Sequence, residues 1–290
     1  MQKNLFIECE DGTPLAATLF TPPRPRATVM IAPATGIRRQ FYTHFASYLC
    51  ALGFTVMTFD NRGIGDSLNG PVQHSKATLV QWGQLDMQAV LQTLQQAFPG
   101  LPHFLAGHSA GGQLAGLMPG ACDLSAIFTF GSSSGRLANM RWHYRPKAHF
   151  FMNLFIPLTN RLFGHTKSHW VGMGEPLPAG VARQWQQWCN GKGYVETAFG
   201  QEVTRHHYYS ITCPAFWVLA KDDPIACEKN ARDMLRVYRN MPATLKIIDP
   251  QTHGVDQIGH MRFFSRQCKP LWSLAADFFE QHLPPARLAG

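Results

Sequence analysis

Short apolar runs alternate along the chain with segments whose apolar residues recur at helical spacing. Runs typical of buried strands occupy residues 27–32, 54–59, 104–106, 125–130, 215–219 and 243–248. Helical spacing is found at residues 40–52, 79–98, 228–238 and 271–282, and a further helix is predicted to start within 113–118. Uninterrupted apolar strands separated by helices are typical of a parallel sheet covered on both faces. The pattern therefore predicts an α/β protein with a mostly parallel central sheet flanked by helices.

Two details of this pattern make specific predictions. Residues 5–9 and 15–19 flank Asp11-Gly12, which predicts an antiparallel hairpin near the start of the chain. Gly53 follows residues 40–52 and is predicted to cap the C-terminus of that helix. The apolar residues that give the same helix its spacing are Phe41, Phe45, Tyr48, Leu49 and Leu52.

The alternation stops between about residues 135 and 210. This stretch holds nine Lys or Arg residues against three Glu residues, and it is rich in aromatic residues. We expect residues 1–290 to form a single α/β domain, with residues 135–210 inserted after the sixth strand as a helical cap. Roughly a third of the large aromatic side chains in the insertion are expected to line an apolar ligand pocket: Trp142, Tyr144, Phe150, Phe151, Phe155, Trp170, Trp185 and Trp188.

The net charge of +8 raises the question of an anionic partner. The longest basic run is the pair Arg38-Arg39, which is too short to indicate a nucleic-acid interface, so none is expected. Residues 150–163 form the most apolar helical stretch, but polar residues and a proline interrupt it well short of the roughly 18 apolar residues of a spanning helix. A solvated basic face is therefore favoured over contact of this stretch with a membrane surface.

The remaining composition predicts a protein without metal or cofactor. The seven cysteines are odd in number and scattered, which favours reduced thiols over a disulfide framework. The first residues lack the apolar core of a signal peptide, and together these features predict a cytoplasmic protein. His206-His207 is the best metal candidate, but adjacent side chains point apart and no Cys/His cluster accompanies them.

The strongest chemical signal is Gly107-His108-Ser109-Ala110-Gly111, which directly follows the strand at 104–106. The pattern G-x-S-x-G between a buried strand and a helix is typical of a nucleophile held on a sharp turn, where the flanking glycines allow close packing. We predict that Ser109 is a nucleophile. The Ala110 N–H, at the start of the helix, is then placed to donate a hydrogen bond to an oxyanion. His108 is interpreted as a packing or turn residue.

Four landmarks in order make the sequence resemble an α/β hydrolase over nearly its whole length. Residues 33–36 follow the third strand, where the family usually has His-Gly, and residues 60–67 resemble its D-x-R-G-x-G-x-S turn. The serine turn at 107–111 is third, and residues 220–225 and 259–261 resemble the acid and histidine segments. Asp60 and Arg62 in the second landmark are interpreted as fixing a turn rather than contacting substrate.

The resemblance implies a Ser-Asp-His triad in that chain order. Asp222 and Asp223 compete for the acid, and the family's Asp-Pro followed by an apolar residue favours Asp223. His253 and His260 compete for the base, and Gly-His-Met before the final helix favours His260. The second oxyanion donor is expected in the loop after the third strand, where alignment favours the Thr35 N–H.

Ala34 or Gly36 could supply that donor instead, because the usual His-Gly is missing. The sequence thus predicts a serine hydrolase that cleaves a small-molecule carboxylic ester or thioester through an acyl-enzyme. The alternatives are a serine peptidase or acyltransferase with the same triad, and a non-catalytic binding module on this fold.

Overall fold

The computed structural model describes residues 1–285 and contains a central eight-stranded sheet in the order β1-β2-β4-β3-β5-β6-β9-β10. The strands of this sheet are β1 (Gln2–Glu8), β2 (Pro14–Phe20), β3 (Ala27–Ala32), β4 (Phe54–Phe59), β5 (His103–His108), β6 (Ala126–Phe130), β9 (Ala215–Ala220) and β10 (Ala243–Ile248). β1 and β2 form the antiparallel hairpin expected from the sequence, and all pairs from β4 to β10 are parallel. The predicted mostly parallel α/β sheet is confirmed.

Helices cover both faces of the sheet, and two separate apolar clusters fill the spaces between sheet and helices. The α-helical segments are α1 (Thr43–Ala51), α2 (Leu79–Gln81), α3 (Gln88–Ala97), α4 (Ala110–Gln113), α5 (Arg145–Phe150), α6 (Ile156–Phe163), α7 (Ala179–Asn190), α8 (Glu228–Leu235) and α9 (Ser273–Gln281). A π-helical stretch, Trp82–Met87, joins α2 to α3, so the long helix predicted over 79–98 is continuous but locally widened. No helix within residues 1–285 is long and apolar enough to cross a membrane.

The parallel strands end at one edge of the sheet, and the loops that follow them meet there. Gly131 follows β6, Asp223 lies three residues beyond β9, and His260 lies in the long connection after β10. Ser109 comes directly after β5, a central strand of the sheet. The carboxyl ends of parallel strands are the usual place for a ligand site in such folds, so the topology alone brings these residues together.

The helix predicted within 113–118 is wrong. α4 ends at Gln113, and the chain continues as short 3₁₀ turns at Ala115–Leu117 and Pro119–Asp123. Glycines have a low helix propensity, and three of them fall at positions 111, 112 and 116. The Gly116 N–H is also taken by the Tyr238 hydroxyl at 3.3 Å instead of a helical carbonyl. The helix after Ser109 is therefore a single turn.

The register of the helix predicted over 40–52 also differs from expectation. The structure buries Tyr42, Phe45 and Leu49 but leaves Phe41 and Leu52 exposed. The cause is a 3₁₀ turn at Arg39–Tyr42 ahead of α1, because three residues per turn place Tyr42 rather than Phe41 above Phe45.

Residues 135–210, all of them described, lie between β6 and β9 in the chain and add no strand to the main sheet. α5, a π-helical stretch at Phe151–Phe155 and α6 form one continuous helix that ends at Gly164, whose φ of 72° closes it. β7 (His165–Thr166) and β8 (Leu177–Pro178) pair with each other before α7. The segment is tied to the sheet edge by the Glu175 N–H, which donates to the Gly36 carbonyl at 2.8 Å, and by an ion pair between Arg38 and Glu175 at 2.7 Å.

Candidate active site

Ser109 has a backbone conformation that side chains seldom adopt. Its φ is 48° and its ψ is −106°, a region that costs free energy for any residue with a Cβ and that is concentrated at functional sites. The glycines on either side permit the turn: a Cβ at Gly107 would lie 2.5 Å from the Gly112 nitrogen, and one at Gly111 would overlap the Ala32 carbonyl. The glycine spacing in the sequence is thus explained by close backbone packing on both sides of the serine.

Two hydrogen bonds from β6 and the loop after it hold this turn in place. The Ser109 N–H donates to the Phe130 carbonyl at 2.9 Å, and the Ser132 hydroxyl donates to the Ser109 carbonyl at 2.8 Å. The Trp217 indole N–H in turn donates to the Ser132 carbonyl at 2.7 Å. The strained serine is therefore fixed from the side of β6 and β9, leaving its hydroxyl free to face the sheet edge.

The side chains of Ser109, His260 and Asp223 form a continuous hydrogen-bonded row. The His260 Nε2 atom lies 3.0 Å from the Ser109 Oγ atom, and Nδ1 lies 2.7 Å from Asp223 Oδ2. The other Asp223 oxygen accepts the N–H groups of Ile225 and Ala226 at 2.7 and 2.9 Å, so this buried carboxylate has its remaining acceptor satisfied by backbone. A hydroxyl, an imidazole and a carboxylate in this order are arranged for proton transfer from the serine.

The pKa values of the two titratable groups move in opposite directions. Burial alone would lower the pKa of His260, but the charge and hydrogen bond of Asp223 raise it above its usual value. Burial would raise the pKa of Asp223, but the charge and hydrogen bond of His260, with the two N–H donors, lower it. The carboxylate therefore stays ionised and favours a proton on the imidazole.

The competing acid and base candidates from the sequence lie elsewhere in the structure. The Asp222 carboxylate accepts the N–H groups of Ile258 and Gly259 at 3.0 and 2.9 Å, and so anchors the loop that carries His260. His253 makes its hydrogen bonds within its own turn, to the Thr252 hydroxyl and the Asp249 carbonyl. Of the four candidates, the structure brings Asp223 and His260 together with Ser109.

A buried hydrogen-bond relay runs behind the row and was not predicted. The His108 Nε2 atom lies 3.0 Å from the His260 carbonyl, and Nδ1 lies 2.9 Å from the Tyr42 hydroxyl, which accepts the Ala34 N–H at 2.9 Å. Burial and the nearby His260 lower the pKa of His108 to about 3, so its ring is neutral. A carbonyl only accepts, so Nε2 carries the proton and the Tyr42 O–H donates to Nδ1. The relay joins the loop after β3 to the backbone of His260.

This relay reduces the number of backbone N–H groups in the loop after β3 that could donate to an oxyanion. The Ala34 N–H is occupied by Tyr42, whereas the Thr35 N–H has no acceptor within residues 1–285 and Thr35 lines the same cavity as Ser109. The Ala110 N–H, at the first position of α4, also has no acceptor among the described residues. Two backbone donors, one in the loop after β3 and one directly after Ser109, are thus left without an acceptor among the described residues.

A cavity of about 350 Å³ opens above Ser109, between the sheet edge and residues 135–210. Its walls are mostly apolar and include four methionines, whose flexible side chains adapt to irregular ligands: Met140, Met152, Met173 and Met261. Of the aromatic side chains expected to line a pocket, four of the eight do so: Tyr144, Phe150, Phe151 and Trp185. Lys147 also lines the cavity, and none of its described lining residues carries a carboxylate.

Gly131 is a further residue of the site that sequence patterns did not mark. Its φ is 63°, and a Cβ there would lie 3.2 Å from both the Cε1 and Nδ1 atoms of His260. A side chain at this position would press on the imidazole. The signal available in the sequence was only a glycine directly after a buried strand, which is too common to indicate a role.

The remaining polar landmarks are structural. Asp60 is buried and accepts the N–H groups of Arg39 and Asp66 at 2.6 and 3.0 Å. Arg62 binds the carboxylates of Asp86 and Asp11, each at 2.6 Å. These contacts agree with the interpretation that Asp60 and Arg62 fix the turn after β4.

The residues considered for metal binding have other contacts. The His206 ring stacks on Phe199, with ring centroids 3.9 Å apart. Among the described residues, no group of three His, Cys, Asp or Glu side chains is placed to hold a metal ion.

Comparison with known proteins finds partial sequence matches and a shared fold. The model of the serine aminopeptidase family S33, a group of α/β hydrolases, matches residues 23–123, a range that includes Ser109 but ends before Asp223 and His260. A monoglyceride lipase from Saccharomyces cerevisiae, solved with a substrate analogue, superposes with a TM-score of 0.68 over 98% of this chain and 96% of its own, at 15% identity. The chain has the α/β-hydrolase fold. An esterase from Thermogutta terrifontis shares the fold as well, with a TM-score of 0.62 over 97% of this chain and 100% of its own, at 15% identity.

Two curated relatives are similar to this chain in sequence. A monoglyceride lipase homolog of monkeypox virus is 33% identical over 128 residues, which cover 43% of this chain and 41% of the viral protein. The mouse phospholipase ABHD3 is 27% identical over 92% of this chain and 68% of its own length. The matches therefore leave a large part of each relative uncovered.

Proposed function

We propose that this α/β hydrolase cleaves carboxylic esters or thioesters through an acyl-enzyme on Ser109. The observation that carries the proposal is the hydrogen-bonded row from Ser109 through His260 to Asp223, at 3.0 and 2.7 Å, at the base of an apolar cavity. A free serine hydroxyl is a weak nucleophile at neutral pH, and such a row is the usual means of activating it. The names of the similar lipases, phospholipase and esterases support the same bond type.

In the proposed mechanism, Ser109 Oγ attacks the acyl carbon while His260 Nε2 takes its proton. Asp223 holds the imidazole tautomer and stabilises the imidazolium. His260 then protonates the leaving alcohol or thiol, and the acyl group stays on Ser109. A water molecule, deprotonated by His260, attacks the acyl carbon of the acyl-enzyme. The bond from that carbon to Ser109 Oγ breaks, His260 returns the proton to Oγ, and the acid is released.

The negative charge on the tetrahedral oxygen is proposed to be held by the N–H groups of Thr35 and Ala110. Neither group has an acceptor within the described chain, and a backbone donor aimed at a developing oxyanion contributes a factor of ~10²–10³ in rate. Ala34 is not favoured because Tyr42 occupies its N–H. The donor at Ala110 gains little from a helix dipole, since α4 is only one turn long.

The substrate class follows from the cavity, which we propose receives an acyl chain beneath residues 135–210 acting as a cap. Apolar walls and a volume of about 350 Å³ suit an aliphatic chain. Each methylene buried contributes about 0.8 kcal/mol, so kcat/KM should rise up to about fourfold per carbon until the cavity is full. The cytoplasmic location remains a prediction.

Peptide hydrolysis is the second candidate, favoured by the description of the matching family as serine aminopeptidases. An aminopeptidase must hold the ammonium group of its substrate, and a carboxylate is the natural partner. The described lining of the cavity contains Lys147 but no Asp or Glu, which disfavours this candidate. Turnover of aminoacyl naphthylamides faster than p-nitrophenyl esters would favour it instead.

The experiment is hydrolysis of p-nitrophenyl esters from two to sixteen carbons by wild type and Ser109→Ala. The matched control is Ser210→Ala, because Ser210 is an exposed serine outside the cavity. We expect Ser109→Ala to lose at least about 10³ in kcat/KM and Ser210→Ala to keep it. Labelling by a fluorophosphonate probe should disappear with Ser109→Ala alone. A wild type that neither turns over esters nor reacts with the probe would indicate a non-catalytic binding module.

A further inference from the structure

One face of the helix formed by α5, Phe151–Phe155 and α6 is apolar and has no covering element among the described residues. Leu154, Leu158 and Leu162 recur every four residues along it, with exposed fractions of 55%, 50% and 64%. Such a row is the stripe that an amphipathic helix normally buries against a core. The opposite side of the same helix, with Met152, Ile156 and others, already packs inward.

Two further aromatic residues extend this stripe into a patch. Phe163 and Trp170 are exposed and lie edge to face with ring centroids 5.5 Å apart. The Lys167 ammonium lies over both rings, 5.0 and 5.6 Å from their centroids. We call this surface the outer face; its residues are Phe150, Leu154, Leu158, Leu162, Phe163 and Trp170. An exposed apolar patch of this extent is typical of an interaction surface.

The charged Lys, Arg, Asp and Glu residues in the chain segment around the outer face have one sign. The chain contains no Asp or Glu between Asp123 and Glu175, whereas six Lys or Arg residues fall in that interval: Arg136, Arg141, Arg145, Lys147, Arg161 and Lys167. Cations beside apolar and tryptophan side chains are the composition of helices that lie in the headgroup region of anionic membranes. A protein partner of ordinary composition would not require a segment without carboxylates.

The outer face is continuous with the mouth of the cavity above Ser109. Phe150 belongs to both, since its side chain is exposed and also lines the cavity. Lys147, one turn earlier, lines the cavity from the same helix, and the Gly172-Met173-Gly174 loop that follows Trp170 lines it as well. A surface that covered the outer face would therefore lie against the entrance.

We propose that the outer face docks this α/β hydrolase onto an anionic lipid surface, with Leu154, Leu158, Leu162 and Trp170 inserted among the acyl chains and the surrounding cations on the headgroups. Docking would place the cavity mouth at the depth of the acyl chains. The substrate of the proposed reaction would then enter from the bilayer. The docking itself does not depend on Ser109, so its failure and the failure of the proposed hydrolysis are distinguishable.

The test is co-sedimentation of the full chain with vesicles of phosphatidylcholine alone and of phosphatidylcholine with 30% phosphatidylglycerol. The disrupting variant is Leu158→Glu/Leu162→Glu. The matched control, Phe6→Glu/Ile247→Glu, adds the same charge at exposed apolar positions (70% and 42%) on the two edge strands of the sheet. All four positions lie outside the cavity, so turnover of a soluble short-chain ester reports that each variant is folded.

We expect binding to the anionic vesicles at low salt and at least tenfold weaker binding to the neutral ones. Leu158→Glu/Leu162→Glu should lose about tenfold or more of the anionic partition coefficient, and the control variant should lose less than threefold. Arg161→Gln should lose roughly fivefold, and 0.5 M NaCl should remove most of the binding. Ser109→Ala should bind like wild type.

Three results would overturn the proposal: no binding to anionic vesicles at low salt, equal binding to neutral and anionic vesicles, or equal losses in the two double variants. Sedimentation equilibrium without lipid adds a fourth. If wild type is a dimer and Leu158→Glu/Leu162→Glu a monomer, the outer face is covered by a second copy of the chain. A monomer in both cases supports a lipid surface.

Discussion

Replacing Tyr42 with phenylalanine removes a single oxygen from the relay behind the row of Ser109, His260 and Asp223. The Tyr42 side chain is fully buried, and its hydroxyl accepts the Ala34 N–H and donates to His108 Nδ1, both at 2.9 Å. Phenylalanine fills nearly the same space, so packing is preserved. What changes is that a buried N–H and a buried ring nitrogen are left without partners.

The cost can be worked from these two groups. Each buried polar group left unsatisfied costs about 1–3 kcal/mol, so Tyr42→Phe should lower the free energy of unfolding by about 2–6 kcal/mol. A loss near 3 kcal/mol would lower Tm by about 6–10 °C in a domain of this size. The Ala34 N–H adjoins Thr35, so a looser loop also displaces the proposed oxyanion donor. Losing part of that donor's factor of ~10²–10³ should reduce kcat by about tenfold with KM nearly unchanged.

The assay is thermal unfolding together with steady-state kinetics on a soluble ester. Tyr48→Phe is the matched control, because the Tyr48 hydroxyl has no hydrogen-bond partner among the described residues and its ring packs on Trp272. We expect Tyr48→Phe to resemble wild type in both measurements. If Tyr42→Phe matches Tyr48→Phe in Tm and in kcat, the relay neither stabilises the fold nor positions the loop. A large loss of Tm with kcat unchanged would leave the relay a role in stability alone.

Three further predictions concern the row itself and its turn. Asp223→Asn should lower kcat by about 10⁴, because an amide cannot hold the required imidazole tautomer, whereas Asp222→Asn should cost much less; equal losses in kcat would contradict the assignment. Only the neutral imidazole of His260 accepts the serine proton, and the pKa of this imidazole is raised above its usual 6.5. We therefore expect kcat/KM to rise with pH through a value above 6.5. A rate profile that is flat from pH 5 to 8 would argue against this role of His260. In Asp223→Asn, provided that it retains some activity, this rise of kcat/KM should occur at a lower pH than in wild type. Gly111→Ala should abolish soluble folded protein or activity, because the added methyl group would overlap the Ala32 carbonyl. The control Gly100→Ala, which lies in open space at a φ of 78°, should fold with only modest strain. Circular dichroism and ester turnover compare the two variants.

Much of this fold could be predicted because buried parallel strands leave a clear mark in the sequence. β3 and β4 begin and end where the apolar runs do, since every residue of these two central strands is buried. The sharp turn at Ser109 could be predicted because close packing requires the glycines on both sides of it.

The parts that could not be predicted depend on distant contacts or on small changes of helical period. The 3₁₀ turn at Arg39–Tyr42 shifts the register by one residue. Regular helical spacing therefore indicates Phe41 as a buried residue, whereas the structure buries Tyr42. Asp222 binds backbone N–H groups 36 and 37 residues away, and no local pattern marks such a contact. The choice of Asp223 over Asp222 therefore depends on a family resemblance. The contacts of Asp222 are formed only in the folded chain, so its role could not be predicted from the sequence.

The bridge between Glu175 and the loop after β3 has a consequence for exchanging parts among related enzymes. The Glu175 N–H holds the Gly36 carbonyl, the Glu175 carboxylate pairs with Arg38, and a Cβ at Gly174 would lie 2.6 Å from that same Gly36 oxygen. Residues 135–210 and the loop that carries Thr35 are therefore joined directly by these contacts. An insertion grafted from a protein of the same fold would have to bring its own version of residues 36–38, or it would alter the proposed oxyanion donor as well as the cavity.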